Sequence, residues 1–422
     1  MSKLSSTKLS LSPIQILQDS NFRMFWLGQS ISLLGDSFYM IALPLLALQL
    51  SGGSGLALGT ALMFASIPRA LLMLFGGAIV DRLSPRSVMI TTNWLNALTI
   101  VALAFLLWSG QAALWHLYIA SFLLGTADAF YFPAAGSIMP FIVEEQNLQV
   151  GNSVFQLSQR LLFLVGPALA GLIIATVGIP TALIIDVVTF VLANIFLSAM
   201  NLHDAHQSSV SQKSDELSQK TGIFASIFEG LQYVKRDRAL LGLMLLIAAI
   251  DFGTSGSIRV GLPVLLDVKF GVGAAILGLM ISAFGAGAVI GTFLTSRIEV
   301  NQIGYLLIGL MLIFGTTFLL TGLIVSLWFM GMMLVLGGVA AGIFNIVSVS
   351  WLQKRTDKNI LGRVMSLIML SSVGVMPISQ LLSGFMVEID ASLPFIVSGC
   401  IMLIVAMIFA SSTSLRNLTT GS

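Results

Sequence analysis

The sequence has few charged residues and almost no cysteine. Asp, Glu, Lys and Arg together make up 9% of the 422 residues, whereas a soluble domain carries roughly 25%. A chain with so few ionisable groups cannot cover its exterior with them, so most of that exterior must face lipid. The single cysteine, Cys400, excludes any disulfide within the chain. The composition therefore excludes a water-soluble globule and a disulfide framework.

Enzyme motifs are missing as well. The three histidines are not at metalloprotease spacing, and no glycine-rich phosphate-binding loop is followed by lysine and serine. We therefore expect neither an enzyme nor a metal or other cofactor.

Long apolar runs dominate what is present. They are continuous over about 20 residues instead of alternating over roughly ten, which predicts membrane-spanning helices and not barrel strands. Twelve spans are predicted, at residues 23–49, 56–80, 88–108, 114–139, 152–174, 180–200, 239–265, 274–296, 303–325, 327–350, 363–387 and 393–411. The predicted fold class is an all-α membrane protein.

The basic residues fix the expected orientation. Outside the spans, every Lys and Arg except Lys269 lies in the terminal segments or in loops on the same side as the termini. By the positive-inside rule, both termini are expected to be cytoplasmic, in a multi-pass protein of the cytoplasmic (inner) membrane. The polar stretch at 203–222 is expected to be a cytoplasmic linker.

The chain is predicted to consist of two similar halves. Leu43, Pro44 and Gly59 of the first half recur in the second half at one constant offset. Their counterparts are Leu262, Pro263 and Gly278. Six spans in each half make the repeats parallel, an architecture that belongs to transporters. The expected segments are an N-terminal cytoplasmic segment (1–21), a first six-helix half (22–202), a linker with an amphipathic helix (203–238), a second six-helix half (239–411) and a cytoplasmic tail (412–422).

The loop after span two carries a recognisable motif. The run from Gly77 through Asp81 and Arg82 to Arg86 resembles the signature loop of the major facilitator superfamily. The resemblance implies the major facilitator fold, with these residues forming a cytoplasmic latch that holds the halves together when the protein opens outward. Ser84 and Ser87 depart from the usual residues of the motif.

Further segments narrow the resemblance to one branch. Gly166, Pro167 and Gly171 in span five look like the antiporter motif of that superfamily. The runs 261–263 and 361–366 are similar to the macrolide-efflux and enterobactin-exporter branch. The resemblance implies proton-driven export. Independently of it, proline and glycine in span five permit close helix packing.

Charges inside the spans are the candidates for ion coupling, because a charge in the membrane is costly and usually faces a cavity or a partner. We expect Asp36, Asp128, Arg69 and Arg160 to form the proton-coupling site, since charges are concentrated in the first half. Asp36 and Arg69 lie at similar depth on consecutive helices, which makes them a plausible ion pair. Asp36 is the first candidate for the proton carrier and Asp128 the second.

The remaining candidates line the expected substrate cavity. Polar stripes on spans one, five and seven and aromatic residues near mid-membrane suit an amphipathic ligand. The expected lining residues are Gln29, Phe38, Tyr39, Phe132, Gln156, Gln159, Asp251, Arg259, Phe344 and Asn345.

The sequence favours a secondary active exporter of amphipathic small molecules, of drug or siderophore type, that works by proton antiport with alternating access. A proton-coupled importer, a lipid flippase and a transporter-like receptor that moves nothing are the alternatives. The expected partners are the substrate, protons and the lipid bilayer, with no nucleic acid, and the expected state is a monomer.

Overall fold

The computed structural model describes residues 12–80, 83–201, 231–297, 302–357, 360–411 and 416. Twelve helices in these ranges are long and apolar enough to cross a membrane. They are α1 (Ser20–Ser51), α2 (Gly55–Val80), α3 (Pro85–Trp108), α4 (Leu114–Ser137), α5 (Leu148–Val177), α6 (Ile179–Ala199), α7 (Arg238–Phe270), α8 (Ala274–Thr295), α9 (Ile303–Leu323), α10 (Leu327–Arg355), α11 (Leu361–Ile389) and α12 (Leu393–Ser411).

All twelve predicted spans are confirmed. The largest differences in boundary are at the C-terminal ends of α7 and α10, which each extend five residues beyond the predicted end. Local sequence explains several ends. Asp19 accepts a hydrogen bond from the backbone N–H of Phe22 and so caps α1, while Gly52, with φ 69°, ends it in the left-handed conformation that glycine adopts most easily.

The helices pack in the same order in each half of the chain. In the first six, α1 packs against α5 and α6, α2 against α4, and α3 against α4 and α6. In the last six, α7 packs against α11 and α12, α8 against α10, and α9 against α10 and α12. Adding six to each helix number converts the first pattern into the second, as an internal repeat requires.

Most of the contact between the halves is made by two helix pairs, α5 with α8 and α2 with α11. Both contacts use residues without bulky side chains. Gly278 of α8 lies against the carbonyl oxygen of Pro167, and Gly384 of α11 lies against the backbone of Gly59. Small residues at these positions let the backbones approach closely, as is usual between membrane helices.

The helix count places Ser20 and Ser411 on one side of the bundle, which we call the terminus side. On the opposite side, the carboxylate of Glu388 at the end of α11 accepts hydrogen bonds from the Ser54 hydroxyl at 2.7 Å and from the backbone N–H of Leu56 at 2.9 Å. These bonds tie the α1–α2 turn of the first half to the second half.

Candidate functional site

An ion pair between Arg69 of α2 and Asp128 of α4 lies near the middle of the bundle. Its position follows from packing one turn away, where Gly125 of α4 lies directly against the backbone of Ala65. Because α2 and α4 run in the same direction, that contact brings the next residues of each helix together. The expected pairing of Arg69 with Asp36 is therefore wrong, since similar depth does not fix which face of a helix a side chain occupies.

Asp36 of α1 lies beside this pair without bonding to it. It is exposed, it is within electrostatic range of Arg69 and Asp128, and it makes no hydrogen bond or ion pair with a described residue. Its neighbour Gly35 packs against Asp186 and Thr189 of α6, which holds α1 in place. The first half thus presents a carboxylate without a partner next to an arginine that already has one.

The second half contributes a charge to the same place. Arg259 is the only exposed residue between Ser255 and Leu266 of α7, and the charged groups that act on it are Arg69 and Asp128. It belongs to a π turn, Ser257–Gly261, a local widening that is frequent at functional sites. We call Asp36, Arg69, Asp128 and Arg259 the central charged cluster.

Aromatic and polar side chains surround this cluster. Phe132 is 48% exposed and lies under the Arg69 guanidinium, 5.6 Å from ring centroid to Cζ. Tyr39 is half-buried, with its hydroxyl 3.4 Å from that of Ser121. Tyr131 donates a hydrogen bond to the side-chain oxygen of Gln29.

Three of the expected lining residues are buried in helix packing instead. Gln29 is 3% exposed, Phe38 5% and Phe344 5%, so none of them lines the space at the centre in this conformation. Counting residues along a helix predicts the depth of a side chain, but it does not predict the direction of that side chain around the helix axis.

The polar stripe of α5 is exposed towards the terminus side. Gln156 and Gln159 are exposed, as is Asn152 two turns from Gln159. Arg160 donates a hydrogen bond to the Thr292 hydroxyl of α8 at 2.6 Å, so it joins the two halves and does not lie in the central charged cluster. On the other half, Asn345 of α10 is also exposed, and Asp251 of α7 lies beside Ser372 of α11.

The antiporter-like residues lie where helices touch. Gly166 packs against Ser37 of α1, and Gly171 packs against Ala274 and Gly278 of α8, while Pro167 is buried between them. The expectation of close helix packing at this motif is confirmed.

The latch residues are described only in part. Gly77 belongs to α2, whereas Asp81 and Arg82 lie outside the described residues. Arg86, at the start of α3, donates a hydrogen bond to the carbonyl oxygen of Ser198 in α6. That bond lies within the first six helices.

Sequence reasoning missed a polar link at the junction of the halves. Gln380 of α11 is fully buried; its side-chain oxygen accepts from the Ser66 hydroxyl of α2 at 2.8 Å and its amide donates to the Ser255 hydroxyl of α7 at 3.1 Å. A glutamine inside an apolar span was the available signal, because an amide in lipid needs partners.

Twelve apolar helices in two matching sets of six, with charged residues from both sets near one another at the centre, are the architecture of a membrane transporter.

Comparisons with known proteins identify the family. The Major Facilitator Superfamily profile matches residues 25–376, and the chain belongs to that superfamily. It is 26% identical over 393 residues to the uncharacterized MFS-type transporter YfiS of Bacillus subtilis, covering 90% of each chain. It is 23% identical over 408 residues to macrolide efflux protein A of Streptococcus pyogenes, covering 94% of this chain and 97% of the relative.

The solved structures it resembles share the fold. One is a bacterial homologue of the iron transporter ferroportin in an inward-facing state, with a TM-score of 0.70 at 16% identity, over 93% of this chain and 99% of the other. The expectation of a major facilitator fold is thereby confirmed.

Proposed function

We propose that the protein exports amphipathic small molecules across the cytoplasmic membrane in exchange for protons. The observation that carries this proposal is Asp36, an exposed carboxylate without a partner in the central charged cluster. The similarity to macrolide efflux protein A over nearly the whole chain supports efflux over import.

The coupling follows from the competition of two carboxylates for one arginine. Arg69 pairs with Asp128 here, while Asp36 is close enough to act on both. When Asp36 binds a proton, it no longer competes for Arg69. When it releases the proton, Arg69 has two carboxylates to choose between, and a shift of α1 relative to α4 decides which one it contacts. The protonation state of Asp36 thereby biases the conformation that opens the site to one side or the other.

Substrate binding completes the cycle if it favours the deprotonated form of Asp36. A ligand lying over Phe132, which is exposed beside the cluster, would contact both the aromatic ring and the Asp36 carboxylate. Because the ligand and the proton compete for the site, outward movement of the ligand depends on inward movement of the proton.

The proposal is tested by Asp36→Asn in proteoliposomes with an imposed pH gradient. A fluorescent amphipathic drug reports substrate movement and an entrapped pH dye reports protons. We expect Asp36→Asn to reduce gradient-driven transport at least tenfold while substrate exchange without a gradient continues. The control is Asp267→Asn, which removes an exposed carboxylate near the end of α7 and should leave both rates unchanged. Uphill transport at the normal rate by Asp36→Asn would make Asp128 the candidate instead.

The orientation belongs to the same proposal. We place both termini and the 203–222 segment in the cytoplasm, and we take the transporter to work as a monomer. The 203–222 segment lies outside the described residues. Ser209→Cys in a Cys400→Ser background should resist a membrane-impermeant thiol reagent added to intact cells. Labelling from outside would reverse the assigned topology.

A further inference from the structure

A basic pocket lies at the terminus-side end of the second half, far from the central charged cluster. It has a volume of about 480 Å³ and is lined by Tyr233, Arg236, Asp237, Arg238 and Arg355. Arg238 is the first residue of α7 and Arg355 the last of α10, so the pocket lies where two membrane helices end. The next residues of α7, Ala239 and Leu240, are already buried. A pocket at the ends of membrane-spanning helices lies at the depth of the lipid headgroups, because the apolar part of such helices spans the hydrocarbon core.

One acidic residue is among the described residues that line the pocket, and it already has hydrogen-bond partners. One carboxylate oxygen of Asp237 accepts from Arg355 Nε at 2.8 Å, and the other accepts from the backbone N–H groups of Ala239 at 2.9 Å and Leu240 at 3.4 Å. Partial burial pushes the pKa of Asp237 up, but the hydrogen bonds from Arg355 and the helix N-terminus outweigh it and hold the pKa below its ordinary value of 3.8. Asp237 is therefore ionised at neutral pH.

The positive charge of the pocket exceeds what Asp237 offsets. Among the described lining residues, three arginines face one aspartate, and Arg236 and Arg238 are exposed. Arg355 is held in place by Asp237 and by Trp351, whose ring centroid is 5.4 Å from Cζ. A guanidinium fixed in this way needs little ordering to bind an anion, and its planar N–H groups match the oxygens of a phosphate.

We propose that this pocket binds the phosphate group of an anionic phospholipid. Basic pockets between membrane helices at the cytoplasmic surface are suited to such headgroups, and Tyr233 has the amphipathic side chain that is enriched at that level of a membrane. A free phosphate would present the same oxygens. The depth of the pocket favours the lipid, because the bilayer supplies that headgroup locally and continuously.

The test is lipid binding to the purified full-length protein. Retained phosphatidylglycerol is counted by native mass spectrometry, and thermal stability in detergent is measured with added phosphatidylglycerol, phosphatidylcholine or inorganic phosphate. We expect phosphatidylglycerol to bind and stabilise the wild-type protein, and phosphatidylcholine and inorganic phosphate to have little effect at equal concentration.

Single substitutions locate the site. Arg236→Gln and Arg238→Gln should each weaken phosphatidylglycerol binding about fivefold, the effect of roughly one basic residue at a membrane surface. Arg297→Gln removes an exposed arginine from the end of α8 outside the pocket and is the matched control. Arg236→Lys keeps the charge and should retain part of the binding.

Three results would overturn the inference. These are equal phosphatidylglycerol binding by the pocket variants and the Arg297→Gln control, equal stabilisation by phosphatidylcholine, and stabilisation by inorganic phosphate as strong as by the lipid. The last would identify a free phosphate as the ligand. None of these measurements depends on transport, so they stand apart from the test of proton-coupled export.

Discussion

Two ion pairs in the described part of the chain allow a direct measurement of what the membrane interior does to a salt bridge. The side chains of Arg69 and Asp128 are 21% and 25% exposed, and those of Arg355 and Asp237 are 26% and 25% exposed. Solvent exposure is thus nearly matched. The first pair lies at mid-bundle between apolar helices, whereas the second lies at the end of two helices.

The difference in surroundings sets the expected magnitudes. Two unit charges about 4 Å apart attract by about 4 kcal/mol at an effective dielectric constant of 20, and partial contact with water reduces this at the centre to about 2 kcal/mol. The pair at the helix ends should contribute at most about 1 kcal/mol, as surface pairs do. Asp128→Asn alone should cost less than the roughly 3 kcal/mol expected for breaking a buried pair, because Asp36 remains beside Arg69 and can replace Asp128 as its partner.

Double-mutant cycles supply the measurement. The set comprises Arg69→Gln, Asp128→Asn and their combination, with the corresponding Arg355 and Asp237 variants, each unfolded in detergent at low and high salt and followed by tryptophan fluorescence. The coupling energy of the central pair should be at least twice that of the other and should change little with salt, whereas the other should be screened. Equal coupling energies with equal salt dependence would refute the reasoning.

Three further predictions concern other parts of the molecule. Gly278→Ala should destabilise the protein by about 1–3 kcal/mol in thermal unfolding, because the added methyl group overlaps an α5 carbonyl oxygen. Gly136→Ala is the control: nothing lies within 4 Å of the added methyl group, so the change should be neutral or slightly stabilising. The pKa of Asp237 in the folded protein is below 3.8. The ionised carboxylate therefore stabilises the protein fully above pH 3.8, and this stabilisation is lost as the pH falls through the folded-state pKa. Unfolding curves should show a loss of stability at acid pH that is absent from Asp237→Asn. Asp81→Asn should slow transport without abolishing substrate binding and should raise cysteine accessibility from the terminus side, and unchanged accessibility with normal transport would remove the latch role.

The spans and the repeat were predictable from the sequence because they depend on quantities that hydropathy measures directly. The length of an apolar run fixes how far a helix extends across lipid. The glycine contacts were predictable as well, since spacing of three or four places two small residues on one face, as at Gly287 and Gly291, which both pack against Val339 of α10.

The partners of the intramembrane charges were not predictable to the same degree. Depth along a helix follows from counting residues, but direction around the axis depends on which neighbours pack there. Arg69 pairs with Asp128 because of the backbone contact at Gly125 one turn away, and no property of Asp36 or Arg69 alone contains that information.

The π turn in α7 has a consequence for comparing the two halves. Asp36 and Leu43 of α1 correspond to Ser255 and Leu262 of α7 with the same number of residues between them. In α1 these residues wind through an unbroken α-helix, whereas in α7 the π turn Ser257–Gly261 intervenes and holds about one residue more than an α turn. The same number of residues therefore turns around the helix axis by a different total angle in α1 and α7. The difference is roughly 100°, the rotation of one α-helical residue. The two halves therefore still align residue by residue in sequence, but α1 and α7 no longer turn in step. If aligned residues before the π turn point in the same direction in both helices, aligned residues after it point in different directions.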